Sequence, residues 1–165
     1  MTASTPSKVY RPRTLRRFTA RLLDSWSAVD AVLNALRPVL SLMARLYVAQ
    51  VFFASGLTKL RDWGTTVALF TDEYHVPLLS PEVAAILGTG GELVLPVLLV
   101  AGLGGPFAAL GLSVVNGVAV VALAEIAPAA LQLHITWGVL LAALAVFGSG
   151  RWSLDTPLRA WMARQ

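Results

Sequence analysis

Four stretches of this sequence run almost without polar interruption, at Val39–Leu57, Val83–Ala101, Pro106–Ala124 and Ala129–Phe147. Each holds 19 residues and as a helix reaches about 28 Å, close to the ~30 Å hydrocarbon core of a bilayer. Helix punctuation marks their ends. Ser80-Pro81-Glu82 offers an N-cap, a proline at the first helical position and an acid that suits the helix dipole. Gly105-Pro106 and Ala127-Pro128 open the next two spans, and Gly102, Gly104 and Gly148 stand where helices stop. Connections of about four residues make the second, third and fourth spans antiparallel neighbours.

Ahead of the first span, Leu15, Phe18, Leu22, Trp26, Val29, Leu33 and Leu36 recur at steps of three and four, with Arg17, Arg21, Asp24 and Asp30 elsewhere on the wheel. This spacing predicts an amphipathic helix that lies on an anionic membrane surface and ends before Pro38. Arg16-Arg17-Phe18 does not open a cleaved export signal, because Asp24, Asp30 and Asn34 interrupt the apolar region such a signal needs. The first ten residues are expected to be disordered. Between the first two spans, Trp63, Val67 and Phe70/Tyr74 predict a short interfacial helix, followed by an extended Val76-Pro77. The expected fold class is all-α: an integral membrane four-helix bundle (38–150) preceded by the N-terminal interfacial helix (within 1–37) and followed by a tail (151–165).

Composition agrees with that reading. The hydrophobic share is 56% with glycine left out, and only 13% of the residues are charged, against about 25% in ordinary soluble domains. The chain has no cysteine, which excludes disulfides, cysteinyl metal sites and thiol nucleophiles. Charge then orients the bundle. Residues 1–37 carry seven basic and two acidic residues, 58–82 carry two basic and four acidic, and 151–165 carry three basic and one acidic. Positive ends around a negative loop place both termini in the cytoplasm of a bacterial inner membrane. The basic residues thus have a topological explanation, and nucleic acid is not an expected partner; the bilayer is.

Polar groups inside the spans are the candidate chemistry, since each is costly there. They are Arg45, Gln50, Glu92, Asn116 and His134, with Lys59 and Glu125 at the outer rim. Counting inward from the span ends leaves Arg45 and Glu92 about 5 Å apart in depth, which predicts an Arg45–Glu92 pair. Pro96 cannot donate to the carbonyl of Glu92, and Gly88, Gly90 and Gly91 leave the backbone open to a neighbour or ligand. Ala130, His134, Gly138 and Ala142 on the fourth span, with Ala109, Ser113 and Gly117 on the third, form small faces that put His134 at a helix seam. Lys59, Glu125 and His134 are expected to gather near the outer surface. The weak metal candidates are His75 with Glu73; haem or metal is not the expected cofactor.

The run Arg45-Leu46-Tyr47, Phe52-Phe53-Ala54-Ser55-Gly56-Leu57-Thr58-Lys59-Leu60, followed by Gly91-Glu92-Leu93 and Pro96, resembles the DoxX family of small four-helix membrane proteins over about residues 39–150. Asp62-Trp63, Leu69-Phe70 and Glu73-Tyr74-His75-Val76-Pro77-Leu78-Leu79 are similar to a branch encoded beside multinuclear iron enzymes in clusters that modify copper-binding peptides. The resemblance implies a membrane redox role, an association with metal or oxidative-stress systems including copper stress, and polar positions at Arg45, Lys59 and Glu92.

Two function classes follow, and a third stays open. In the first, the protein is a quinone-interacting redox subunit: Glu92, Arg45 and His134 act on the quinone, Lys59 and Asn116 help to bind it, and a soluble or membrane partner exchanges the electrons. In the second it is a non-catalytic membrane anchor that recruits soluble partners. A small-solute transporter would use the Glu92 notch as a midplane site. Assembly as a homo-oligomer is compatible with each.

Overall fold

The structure, a computed structural model, describes residues 13–104, 106–148, 150 and 152–165, without the side chains of 13–25 and Arg159. The expected disordered start lies outside the described residues. Six helices follow in chain order: α1 (Arg13–Arg61), α2 (Trp63–Asp72), α3 (Pro81–Ala101), α4 (Phe107–Ala122), α5 (Pro128–Phe147) and α6 (Asp155–Met162). The chain divides into two compact units, Met1–Arg37 and Pro38–Gln165.

The expected break before Pro38 does not occur, because α1 runs through that residue. A proline inside a helix forfeits one hydrogen bond, here to the carbonyl of Asn34, at a cost of ~3 kcal/mol. Good helix formers on both sides, Leu33, Leu36, Arg37 and Leu40, carry the helix across it. In the first unit Trp26, Val29, Leu33 and Leu36 are all exposed.

In the second unit, the remainder of α1 packs with α3, α4 and α5. Val48 and Phe52 of α1 share one core with Leu99, Ala108, Ala109, Leu112, Leu141 and Leu144. The Phe52 ring meets Trp137 of α5 edge-on at 6.0 Å. Helix approach depends on missing side chains. A Cβ on Gly111 would lie 2.8 Å from Leu95, and one on Gly56 would lie 2.9 Å from Leu93 Cγ and 3.1 Å from Glu92 Cβ. Small residues are how membrane helices reach van der Waals contact, since hydrocarbon supplies no hydrophobic drive between them.

Three helices, Trp26–Arg61 within α1, α3 and α5, are long and apolar enough to cross a membrane. With 16 residues, α4 reaches only about 24 Å, shorter than the Pro106–Ala124 expected. It gives up its last turn to a β-bridge in which extended Leu123 pairs with Tyr74, and His75 N–H donates to Ala122 O at 2.8 Å. That bridge fixes the C-terminal end of α4 at the face carrying the α2–α3 connection, the loop face. Its other end adjoins the C-terminus of α3, where Leu154 N–H donates to Ala101 O at 3.0 Å and Gly104 N–H donates to Asp155 at 3.0 Å. This second face is the tail face. Short as it is, α4 is apolar and runs from one face to the other.

A membrane pocket floored by an ion pair

The α1 helix stops at Asp62, whose extended backbone and carboxylate cap α2 by accepting from Thr65 N–H at 3.0 Å and from its hydroxyl at 2.7 Å. These bonds hold the Asp62 carboxyl below the usual carboxylate range, the Thr65 N–H contributing most. The turn folds α2 back so that Thr66 donates to Lys59 O at 2.8 Å. Phe70 then packs on Ala84 and Ala85 of α3, with Tyr74 and Val76 beside them. Gly88 lets the Phe70 ring come close, since a Cβ there would stand 3.4 Å from it.

Beneath this lid lies the charge. Lys59 Nζ donates to Glu92 Oε1 at 2.8 Å, to Oε2 at 2.6 Å and to Ser55 Oγ at 2.9 Å. All three ammonium protons are used. The side chains keep 17% and 10% of their surface, so the pair is largely desolvated yet reachable. It forms the floor of a cavity of about 260 Å³ whose other walls, the Tyr74 phenol apart, are apolar, among them Phe70, Leu87, Val115 and Ala122. Leu87, Val114 and Val118 line the cavity and are themselves exposed. The cavity therefore opens between α3 and α4 onto the surface that faces hydrocarbon. A second cavity of about 280 Å³ on the loop face, reaching Thr71 and His75, shares Phe70, Tyr74, Val76, Leu79 and Ala84 as its wall. The Tyr74 hydroxyl titrates above its ordinary range, through burial first and then the nearby charges of Glu73 and Glu92.

The expected Arg45–Glu92 pair does not form. Gly56 stands against Leu93 and Glu92, and Arg45 lies eleven residues before Gly56, about 16 Å along the helix axis. An arginine cannot reach that far. Its Nη1 donates instead to Val100 O at 3.1 Å and its Nη2 to Trp152 O at 2.7 Å. The guanidinium is completely buried at the tail face, on the negative end of α3.

His134 and Asn116 form a separate pair at the α4–α5 seam. His134 Nδ1 stands 2.8 Å from Asn116 Oδ1, and Asn116 Nδ2 donates to the carbonyl of His134 at 3.0 Å. The small faces do meet there, since a Cβ on Gly138 would touch the Asn116 amide at 3.4 Å. Glu125 is exposed in the α4–α5 connection. Among the described residues, no hydrogen bond or ion pair joins Glu125 or His134 to Lys59. Gln50 lines a shallow apolar groove between α1 and α3, of about 470 Å³. His75 Nδ1 lies 3.3 Å from the backbone carbonyl of Glu73, not its carboxylate, and no group of three metal-ligating side chains occurs among the described residues.

Sequence reasoning missed Ser55 and Tyr74. Ser55 precedes Lys59 by four residues, a helix-face spacing that signals the contact. Tyr74 reaches the site only because the α2–α3 connection bridges to Leu123, a long-range event with no local signature.

No curated protein and no solved structure matches the chain. The sequence pattern of DoxX matches residues 40–125, which holds Arg45, Lys59, Glu92 and Asn116. The stretch includes α2, α3 and α4 entire and the part of α1 that carries the ion pair, and this multi-pass membrane protein belongs to the DoxX family.

Proposed function

We propose that the pocket takes the head of a membrane-dissolved carbonyl compound of the quinone type and that the protein serves a redox partner as its quinone-interacting subunit. One observation carries the reading: a largely desolvated ion pair floors a cavity that is apolar apart from the Tyr74 phenol and opens toward hydrocarbon. Ligand sites of this kind pair an apolar wall, which binds, with one or two polar groups, which orient. The volume is near the lower end of such sites (about 300–1,000 Å³) and suits one substituted ring, with its lipid tail left between α3 and α4.

The residues then have distinct tasks. Lys59 turns one ammonium proton from Glu92 toward the ligand's carbonyl oxygen, and Glu92 keeps the cation charged. Two-electron reduction of a quinone takes up one proton per carbonyl oxygen. The Lys59–Glu92 pair is placed to supply one from the floor, and Tyr74, in the wall shared with the loop-face cavity, to relay the other. The electrons come from the partner protein. Asn116 and His134 do not touch this cavity, so their part is to set the α4–α5 seam. Arg45 has no contact with it either.

The anchor reading draws on a different observation, the exposed Trp26, Val29, Leu33 and Leu36 of the first unit. It and the quinone reading are separated by gentle purification, lipid extraction and an ultraviolet–visible spectrum. A quinone band present in the parent protein and lost from Lys59→Met supports the pocket; a clean extract from a protein that still captures its partner supports the anchor. The charge distribution supports an orientation with both termini in the cytoplasm of a bacterial inner membrane. Reporter fusions at Gln165 that are active only outside the cytoplasm overturn that orientation.

A further inference from the structure

Gln50 carries an uncharged amide on the outside of the bundle. It is exposed on α1 and lines the shallow groove of about 470 Å³ between α1 and α3, with Ala49 and Phe53 on one side and Pro96, Val97 and Val100 on the other. The amide has no hydrogen-bond partner among the described residues. Tyr47, the other polar side chain exposed on α1 between Met43 and Leu57, does have one, since its hydroxyl accepts from Trp137 at 3.4 Å. Depth makes the difference costly. Gln50 lies five residues, about 7 Å, from Arg45 at the tail face and nine residues, about 13 Å, from Lys59 on the loop side, so hydrocarbon surrounds it. No water offsets the unmade bonds there, and a stem of two methylenes is too short to carry the amide back to the level of Arg45.

The apolar residues of this face are at home in lipid and do not say what covers it; the amide does. Lipid tails offer it neither donor nor acceptor. Copies of one chain insert with one orientation, so a symmetric pair has its two-fold axis along the membrane normal, and a residue on that axis meets itself at its own depth. A primary amide both donates and accepts, so two of them satisfy each other with a reciprocal pair of bonds. Around Gln50, exposed Met43, Leu46, Phe53 and Leu57 stand at steps of three and four, the seam spacing of two parallel helices. One polar position in such a seam sets its register.

We propose that this face of α1 is a dimer interface: a second copy of the chain packs its α1 along the same seam, Gln50 pairs with Gln50 of the second copy across the two-fold axis, and the groove beside it takes apolar side chains of that copy. The Lys59–Glu92 pocket opens between α3 and α4, away from the seam, so the inference does not depend on its ligand.

The chain has no cysteine, so a single introduced thiol can form a disulfide only with the same position of another copy. Full-length Leu46→Cys and Phe53→Cys, which keep Gln50, are oxidised with iodine in lipid vesicles at rising lipid-to-protein ratio, beside Val139→Cys on the exposed side of α5. The expected result is covalent dimer from the first two that persists on dilution, and none from Val139→Cys. Sedimentation equilibrium of the cysteine-free chain in detergent then gives the affinity. Gln50→Leu is expected to weaken it roughly tenfold, as loss of two interhelical hydrogen bonds of average strength does, and Gln50→Asn to keep most of it. A chain that stays monomeric, that cross-links as readily through Val139→Cys, or that dimerises as strongly with Gln50→Leu overturns the proposal. A monomer that holds one lipid by native mass spectrometry, and loses it in Gln50→Leu, gives the groove to that lipid instead.

Discussion

Two cations on one helix face meet the membrane in opposite ways. Lys59 finds a carboxylate, Glu92, and spends all three of its protons on it and on Ser55. Arg45 finds only carbonyls, at the end of α3 and in the tail. The difference is one of position along α3. A helix interior has no free carbonyls to offer, apart from one released by a proline, so a cation there needs an anionic side chain. A helix C-terminus has carbonyls without intrahelical partners and a negative dipole, so a cation there can be held by neutral acceptors. The first arrangement makes a polar floor for a pocket, and the second ties the tail to the bundle.

The largest effect is expected from separating the Lys59–Glu92 pair. Glu92→Gln leaves an ammonium in a mostly apolar cavity, and removing one partner of a buried pair costs about 3–5 kcal/mol. The residual exposure of Lys59 holds the loss near ~3 kcal/mol. Lys59→Met combined with Glu92→Leu is expected to recover most of that stability, because a well-packed apolar pair often matches a buried ionic one, while still abolishing ligand binding. Chemical denaturation in detergent and quinone content separate the two outcomes. A double variant as unstable as Glu92→Gln would show that the pair is required for folding itself.

Next is the joint on the Arg45 side. Gly102 has a φ of 66°, and a Cβ there would stand 2.5 Å from Ser153 Cβ, 2.8 Å from Arg45 Nη1 and 2.9 Å from Ser153 Cα. Gly102→Ala therefore adds overpacking to a left-handed backbone, together about 2–3 kcal/mol. The damage is expected to be local. Amide hydrogen exchange at Leu154 and Asp155, which donate to Ala101 O and Gly102 O, should accelerate severalfold while the Lys59–Glu92 pocket is unaffected. Equal loss at both ends would mean that the two cations are coupled.

Gly56 tests the register that keeps the cations apart. Gly56→Ala brings a methyl group to 2.9 Å from Leu93 Cγ and 3.1 Å from Glu92 Cβ, and the flexible leucine absorbs part of the strain, leaving about 1–2 kcal/mol. Ligand affinity is expected to fall more than stability, since α1 carries Lys59 and α3 carries Glu92. A variant with lowered melting temperature and unchanged affinity would remove Gly56 from the account of the site.

This register is also where the sequence was least legible. The four apolar helices, the start of α3 at Ser80-Pro81, the Gly102 stop and the short α2 could all be read from local spacing, although the Ser80 side chain makes no cap hydrogen bond. Arg45, Lys59 and Glu92 were recognisable as charges that hydrocarbon does not tolerate, and His134 as a seam residue. Their pairing was not. Hydropathy windows place residues within a span but do not say how far one helix slides along another, and a glycine contact decides that. The continuation of α1 past Leu57 to Arg61 keeps Lys59 in the helix, a turn above Glu92. The end of α3 at Ala101 leaves the Val100 carbonyl free to accept from Arg45. The early end of α4 escaped notice for a related reason, since the Tyr74–Leu123 bridge joins residues almost fifty positions apart.

The smallest expected effect sharpens the comparison most finely. Each cation has an orphaned hydroxyl a turn or less from it or its partner: Ser41 before Arg45, and Thr89, 2% exposed and without a hydrogen-bond partner, three residues before Glu92. Replacing a buried, unbonded hydroxyl by a methyl group of the same shape removes a desolvation penalty of about 1–3 kcal/mol and loses no bond. Thr89→Val is therefore expected to raise stability by up to about 1 kcal/mol, much of the penalty being offset in practice by local relaxation. The ion pair already has its three ammonium bonds and needs nothing from Thr89. Ser41→Ala should be as benign. A Thr89→Val protein that loses both stability and bound quinone would instead give Thr89 a task, and would extend the pocket floor from Glu92 one turn toward the loop face.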